Sequence, residues 1–210
     1  MKSVFDGYEI RSIDSLWCFI KNIPAFIKWS HQRIHKGYCG RDVYCFSYWF
    51  QEIAPEMIEE LNEMRNGFFL LDENGEQVTD FEAMSKVNRE NESVYEERYS
   101  NLLSKIVYLF RESRDETCSM KNPYAEEHLK ILSGFWDKYG IFGEKMESKE
   151  NRKNGSVHMH SPEELPEEYP GFDELDKKYR EYECKREEYM EQCLKEALDL
   201  FSKYFNMLVD

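Results

Sequence analysis

Apolar residues recur every three or four positions along most of the chain, which is the spacing of one face of an α-helix. The pattern is longest near the C-terminus, where it runs from Leu175 to Leu208 and only Arg186 interrupts it. It predicts one long helix within residues 172–210. At 1.5 Å per residue such a helix is about 55 Å long. Part of it is therefore expected to pack across other helices or against a second copy of the chain.

Shorter stretches with the same spacing predict helices in the first third of the chain. One is expected over residues 12–23, where Pro24 ends it, and a second over residues 24–37, with Pro24 in its first turn. A third is expected over residues 39–64, and Pro55 should kink or divide it. The predicted buried stripe of this third helix consists of Val43, Phe46, Phe50, Ile53, Met57, Ile58 and Leu61.

The remaining segments complete an all-α prediction. Further helices are expected from Asp80, over residues 91–116, and from Pro123, and a small β-hairpin is expected near residues 68–79. Residues 140–171 lose the helical pattern and contain three prolines, which predicts a long mobile loop. The expected fold is a single-domain bundle of about six helices over residues 1–210.

The charge is distributed unevenly. Lys and Arg number 28 against 42 Asp and Glu, so the formal net charge is −14. Residues 15–41 nevertheless contain five basic residues and no acidic one, which leaves −19 on the rest of the chain. An acidic chain of this kind is not expected to bind nucleic acid or an anionic membrane over most of its surface.

The basic segment leads into a candidate ligand site. A turn at residues 37–40 precedes a helix whose first N–H groups and dipole attract anions, and guanidinium groups and aromatic rings stand on both sides. The candidate ligand-binding residues are Trp29, Arg33, Lys36, Tyr38, Arg41, Asp42 and Tyr44. They predict a site for a phosphorylated small molecule such as a nucleotide. In the alternative interpretation, Asp42 caps its own helix and the basic residues pair with acidic parts of this chain or of a second copy.

Signals for catalysis are weak. His31 and His35 are four residues apart and could share a metal on one helix face, but no nearby carboxylate completes the set. The sequence contains no nucleophile elbow, phosphate-binding loop, dinucleotide fingerprint or zinc-protease motif. Its six cysteines form no C-x-x-C pair, which is typical of free thiols in a reducing cytoplasm. We therefore predict no catalytic residue, no cofactor, no metal, no secretion signal and no membrane span.

An acidic run without cations of its own lies between residues 163 and 176. It consists of Glu163, Glu164, Glu167, Glu168, Asp173, Glu174 and Asp176. A solvated tether is one interpretation. The other is a surrogate for nucleic acid that occupies the basic groove of a partner protein.

Several segments resemble a family of small hypothetical proteins of Firmicutes phages and prophages. They are KWSHQRIHKGYCGRDVY at 28–44, continuing through WFQEIAPEMI, then FRESRDETC at 110–118 and DLFSKYFNMLVD at 199–210. The chain departs from that family at Gly40, where members often have Asp, and in a final Leu-Val-Asp where Leu-Trp-Asp is more usual. The resemblance implies a phage accessory protein in the bacterial host cytoplasm and transfers no catalytic residue.

Three functional hypotheses follow. The first is a non-enzymatic phage protein of host takeover or anti-defence that sequesters a phosphorylated small molecule, such as a nucleotide immune signal, at the basic aromatic site. The alternative is an acidic inhibitor of a host defence protein that mimics nucleic acid. The third is a metal-dependent hydrolase that uses His31 and His35. The long C-terminal helix also suggests a homo-oligomer.

Overall fold

The computed structural model describes residues 13–78, 92–146 and 159–208, without the side chains of residues 13–19 and Arg41. Its six α-helices in these ranges are α1 Ile13–Lys36, α2 Gly40–Tyr44, α3 Phe46–Met64, α4 Glu92–Glu112, α5 Ala125–Tyr139 and α6 Phe172–Tyr204. Two 3-10 helices, Pro162–Glu164 and Phe205–Met207, lie on either side of α6. The all-α prediction and the long C-terminal helix are confirmed.

The residues divide into two compact units, with the boundary between Leu103 and Ser104, inside α4. We call them the N-terminal unit and the C-terminal unit and describe each by itself. That the chain forms a single domain stays a prediction.

The first helix does not end at Pro24. α1 is continuous from Ile13 to Lys36 and contains Pro24 in its interior, so the expected division into two helices is wrong. A proline lacks the N–H that would bond to the carbonyl four residues earlier, and its ring crowds that carbonyl. The helix tolerates this loss because Phe26, just beyond the proline, is buried in the unit. The predicted end at Gly37 is confirmed, since Gly37 has a φ of +78° and its N–H bonds to the Arg33 carbonyl at 2.9 Å.

The predicted third helix is divided, but not at its proline. The break falls at Cys45, between α2 and α3, whereas Pro55 lies inside α3. Pro55 is fully buried, so its ring contributes to the core at the position where its N–H is lost. Hydrophobic packing again stabilises a helix through a proline.

The predicted buried stripe of this segment is partly wrong. Val43, Phe46 and Met57 are each more than half exposed, whereas Ala54 and Ile58 are buried. The helical spacing was counted along one continuous helix, but the chain breaks at Cys45, between α2 and α3. The face predicted for residues 43–46 is therefore not in line with the buried face of α3 and does not meet the core.

The core of the N-terminal unit lies where α3 and the first half of α4 meet the segment after α3. Tyr99 on α4 is buried, and its ring lies edge-on to Phe69, with centroids 5.8 Å apart. The guanidinium of Arg65 lies over the same ring at 5.4 Å. Arg98 donates a hydrogen bond to the carbonyl of Leu71 at 3.2 Å. These contacts fix the segment from residue 65 to residue 71 against α4.

The predicted β-hairpin is present only as one antiparallel bridge, between Leu71 and Gln77. The Asp72 carboxylate closes its turn by accepting the N–H groups of Asn74 and Glu76, each at 2.8 Å. This pairing is too short to form a strand among the described residues. The helix predicted from residue 80 lies outside them.

The C-terminal unit packs α5 and the second half of α4 onto α6. The side chains of α6 that reach its core include Cys193, Ala197 and Tyr204, as the apolar spacing predicts. The rings of Phe110 on α4 and Phe201 on α6 meet edge to face, with centroids 6.2 Å apart. Among the described helices, none is both long and apolar enough to cross a membrane.

Both described ends of the predicted mobile loop are folded. Residues 140–146 form turns, and residues 159–171 contain the 3-10 helix Pro162–Glu164, whose Pro162 is fully buried. The two ends meet where the N–H of His160 bonds to the carbonyl of Phe142 at 3.1 Å. Residues 147–158 lie outside the description, so mobility of the loop stays a prediction.

Candidate functional site

Arg33 and Asp42 close the turn between α1 and α2. Arg33 donates two hydrogen bonds to Asp42, from Nε to Oδ2 at 3.1 Å and from Nη2 to Oδ1 at 2.5 Å. Oδ2 also accepts the backbone N–H of Cys39 at 2.7 Å. We call this arrangement the Arg33–Asp42 clasp. It fixes the start of α2 to the last turn of α1.

The clasp is electrostatically satisfied by its own chain. Asp42 is 5% exposed, and burial alone would raise its pKa, but the hydrogen bonds from Arg33 and Cys39 outweigh burial and lower it. The hydrogen bond to Asp42 raises the pKa of Arg33 further above its ordinary value. Both side chains therefore stay charged at neutral pH, and each neutralises the other.

The backbone donors at the start of α2 are also engaged. The N–H of Gly40 bonds to Oε1 of Gln32 at 3.0 Å, and that of Cys39 bonds to Asp42. An external anion at this helix start would have to compete with a carboxylate of the same chain that already lies there. The geometry favours the interpretation in which Asp42 caps its own helix, and anion binding at this turn stays a prediction.

The other candidate ligand residues have different environments. Trp29 is half-buried and packs edge-on against Phe26, with centroids 5.8 Å apart, so it contributes to packing. Lys36 and Tyr38 are exposed, and Tyr44 is 90% exposed. The backbone of Arg41 lies in α2, but its side chain is outside the description.

The proposed histidine pair is close but incomplete as a metal site. The rings of His31 and His35 lie on the exposed part of α1, with centroids 4.2 Å apart. In the part of the chain that the structure describes, no group of three or more His, Cys, Asp or Glu side chains is arranged to hold a metal ion.

Residues 38–48, from the turn before α2 into the start of α3, expose five large apolar side chains, two of which the helical spacing assigned to the core. We call Tyr38, Val43, Tyr44, Phe46 and Tyr48 the aromatic surface. All five side chains are exposed, and Tyr48 is 75% exposed. The ring of Phe46 stacks near Phe50, with centroids 6.1 Å apart, which steadies one member of the set. Helical spacing could not reveal this surface, because it assigned Val43 and Phe46 to the core.

The C-terminal unit contains a buried pair that the sequence did not indicate. His128 Nε2 lies 2.8 Å from Asp176 Oδ1, and the other carboxylate oxygen pairs with Arg180 Nε at 2.6 Å. The imidazole stacks on the rings of Tyr179 and Phe172, with centroids 4.0 Å and 5.4 Å away. Both members of the pair are buried, so it joins α5 to α6 and is closed to a ligand. The two residues are 48 positions apart, so no local sequence pattern could predict their contact.

A second buried carboxylate organises the loop after α4. Glu112 is buried and accepts hydrogen bonds from the Ser119 hydroxyl at 2.7 Å and from the Tyr189 hydroxyl at 3.0 Å. The backbone N–H of Ser119 adds a further bond at 3.1 Å. Burial raises the pKa of Glu112, but these hydrogen bonds outweigh it and lower the pKa overall.

Arg186, which interrupts the apolar stripe of α6, has a structural role. Its Nε donates to the carbonyl of Met120 at 2.9 Å and its Nη2 to the carbonyl of Asp115 at 3.2 Å. It also pairs with Glu183 on its own helix at 3.1 Å. The guanidinium thereby satisfies carbonyl groups of the loop that no helix could satisfy.

The acidic run is not free of cations in the folded chain. Its ion pairs with Arg and Lys are Glu163–Arg180, Glu168–Lys138 and Asp176–Arg180, and Glu164 and Asp176 also hydrogen-bond to the imidazoles of His160 and His128. These pairs neutralise part of the charge that a nucleic-acid surrogate would have to present.

No protein-family model, curated protein or solved structure matches this chain. The fold and the clasp therefore define only a class, an all-α protein with a fixed turn and an exposed aromatic surface, and its function is argued from these residues.

Proposed function

We propose that this protein is a non-enzymatic binding protein and that its N-terminal unit contacts a partner protein through the aromatic surface. The observation that carries this proposal is the exposure of five large apolar side chains within residues 38–48. Single exposed apolar residues are common on protein surfaces, but a run of them is typical of an interaction site.

The residue types support a protein partner. Tyrosine is enriched in protein interfaces because it buries a large ring, loses few rotamers and keeps a hydroxyl for a hydrogen bond. Three of the five members are tyrosines, namely Tyr38, Tyr44 and Tyr48. Small-molecule sites are instead concave and enclose their ligand, which a side chain as exposed as Tyr44 does not do.

The clasp supports the proposal by fixing the turn that carries these rings. Arg33 and Asp42 hold α2 at one angle to α1, so Tyr44 on α2 is presented without the entropy cost of ordering a loop. In this proposal Arg33 and Asp42 are positioning residues and do not touch the partner.

The charge around the surface indicates the kind of partner. Lys28 and Lys36 are exposed on α1, and residues 15–41 contain no acidic residue. A partner with acidic side chains around an apolar centre is therefore expected, and opposite charges should speed its association.

The test is a comparative capture experiment with the full chain. Wild-type protein, a Tyr44→Ser/Tyr48→Ser variant and a Met57→Ser control are each used to capture proteins from a bacterial host lysate, followed by quantitative mass spectrometry. Met57 matches the tyrosines in being exposed, and it lies nine residues after Tyr48 on α3, outside residues 38–48. A partner should be retained by wild type and control and lost from the tyrosine variant. If no captured protein depends on the two tyrosines, the proposal is wrong.

A phosphorylated small molecule is the second candidate. The exposed Lys36 and the ring of Tyr38 could hold the phosphate and the base of a nucleotide, although Arg33 is already engaged. Calorimetry with a nucleotide panel would show binding that Lys36→Ala abolishes without a change in melting temperature. A phage accessory role, which the sequence resemblance implies, belongs to either candidate and stays a prediction.

A further inference from the structure

α1 carries a second apolar feature, which becomes visible once the helix is continuous through Pro24. One series of positions is spaced alternately three and four residues apart along its whole length. The series is Ile13, Leu16, Ile20, Ile23, Ile27, Ser30 and Ile34. Only Ser30 in this series is polar. This is the heptad repeat of a coiled coil, in which the first and fourth positions of each heptad face another helix.

The isoleucines of this repeat are exposed wherever the structure describes their side chains, and Ser30 is half-buried. Ile20 is 45%, Ile23 38%, Ile27 66% and Ile34 80% exposed. Phe26, beside Ile27 on the helix, is only 1% exposed. The face next to the repeat is therefore the one that packs onto the N-terminal unit, and the repeat itself points away from it. We call these isoleucines together with Ser30 the α1 seam.

We propose that the α1 seam pairs with the same seam of a second copy of this chain, as a parallel, in-register two-stranded coiled coil. Identical heptads are complementary to each other, because each layer then contains the same side chain from both helices. In this register Ser30 meets Ser30 of the other copy, so the polar residue is not buried against isoleucine.

The charges on α1 do not oppose this pairing. Lys21, Lys28 and His35 each follow an isoleucine of the seam by one position. One position is a rotation of about 100° around the helix, so these side chains stand to the side of the contact. Arg33, one position before Ile34, does flank the seam, but its charge is neutralised by Asp42. The seam itself contains no charged residue.

The size of the seam predicts a reversible dimer. α1 has 24 residues, which gives a length of about 36 Å and a face about 10 Å wide. Such a strip is smaller than the area of about 800 Å² that each partner buries in a standard stable interface. We therefore expect dissociation in the micromolar range, where dimer and monomer are both measurable.

The experiment is sedimentation velocity on the full chain over a series of concentrations. Wild type should shift from monomer to dimer with concentration, and an Ile27→Glu/Ile34→Glu variant should stay monomeric. A Met57→Glu/Met64→Glu variant, with two exposed methionines of α3 replaced, is the matched control and should dimerise like wild type. Circular dichroism should be the same for all three proteins, and so should the melting temperature at concentrations where wild type is monomeric, because every replaced side chain is exposed in the monomer.

Cross-linking tests the register. Cysteine introduced by Ile34→Cys should form an inter-copy disulfide under mild oxidation, whereas Lys28→Cys, which is turned to the side, should not exceed the wild-type background. A wild type that is monomeric at all concentrations overturns the proposal, as does association that the seam variant leaves unchanged. Dimerisation without the Ile34→Cys cross-link overturns the parallel register. The Tyr44 and Tyr48 variants test the aromatic surface separately, so the two proposals can fail independently.

Discussion

Replacing Asp42 with alanine should destabilise the N-terminal unit and reorient the aromatic surface. The substitution removes the acceptor of three hydrogen bonds, two from Arg33 and one from the N–H of Cys39. It also leaves the Arg33 guanidinium, whose side chain is only 20% exposed, without the carboxylate that neutralises it.

The magnitude follows from these two losses. The hydrogen bond from the N–H of Cys39, just before α2, to the carboxylate of Asp42 in its first turn contributes about 1 kcal/mol. A charged hydrogen-bonding group left without its partner costs about 1–3 kcal/mol, and the partial exposure of Arg33 restores some hydration and reduces that figure. We expect a loss of about 2–3 kcal/mol in the free energy of unfolding. For a chain of this length this corresponds to a fall of about 4–12 °C in melting temperature.

Urea unfolding of wild type, Asp42→Ala, Arg33→Met and the double variant forms a mutant cycle that measures the coupling. The double variant should lose less stability than the two single variants lose together, because it leaves no charged side chain without its partner. Additive losses, or an unchanged stability of Asp42→Ala, would show that the clasp does not stabilise the turn. The same cycle separates the clasp from ligand binding, since Arg33→Met should lower the free energy of unfolding even without any ligand.

Two further outcomes test the C-terminal unit. Folding lowers the pKa of Glu112, so the stability that its carboxylate contributes is complete above the ordinary carboxyl range and is lost as pH falls through the lowered pKa. The free energy of unfolding, measured with urea from about pH 5 downward, should therefore depend less on pH for Glu112→Gln than for wild type. Gly143→Ala should lose about 1–3 kcal/mol because Gly143 has a φ of +65° and a Cβ there would lie 2.5 Å from that of His160. Gly134→Ala is the control, because Gly134 lies inside α5 and a Cβ there would meet no atom within 4 Å. It should raise the free energy of unfolding by up to about 1 kcal/mol. Equal effects of the two alanine substitutions would contradict this reasoning.

The sequence predicted the elements whose hydrophobic spacing is long and uninterrupted. In α6 the stripe agrees with the structure, since Cys193, Ala197 and Tyr204 are buried. A periodic pattern over more than thirty residues averages out individual exceptions, and the exception of Arg186 is explained by the loop carbonyls that it binds.

The site could be predicted only in part. Arg33 and Asp42 are both among the predicted ligand-binding residues, but no spacing shows that they bond to each other. Of the two interpretations of Asp42, the cap on its own helix matches the contacts. The pairing of His128 with Asp176 depends on how α5 packs on α6, which no local pattern encodes. The exposure of Phe46 was missed because spacing identifies an apolar face without showing what that face meets.

Pro24 shows how the position of a helix boundary changes which apolar residues are grouped on one face. Reading Pro24 as a helix end separates Ile20 from Ile27, so that each falls in a short helix with its own apolar side. Once packing around Phe26 carries the helix through Pro24, the same isoleucines form one repeat with a spacing that the core does not use. An apolar repeat that remains exposed after folding gains nothing from the core, and this exposed surface is what the proposed pairing with a second copy would bury. Lys21 and Lys28 lie beside this repeat and not within it, so the positive charge of α1 leaves the proposed contact between copies apolar.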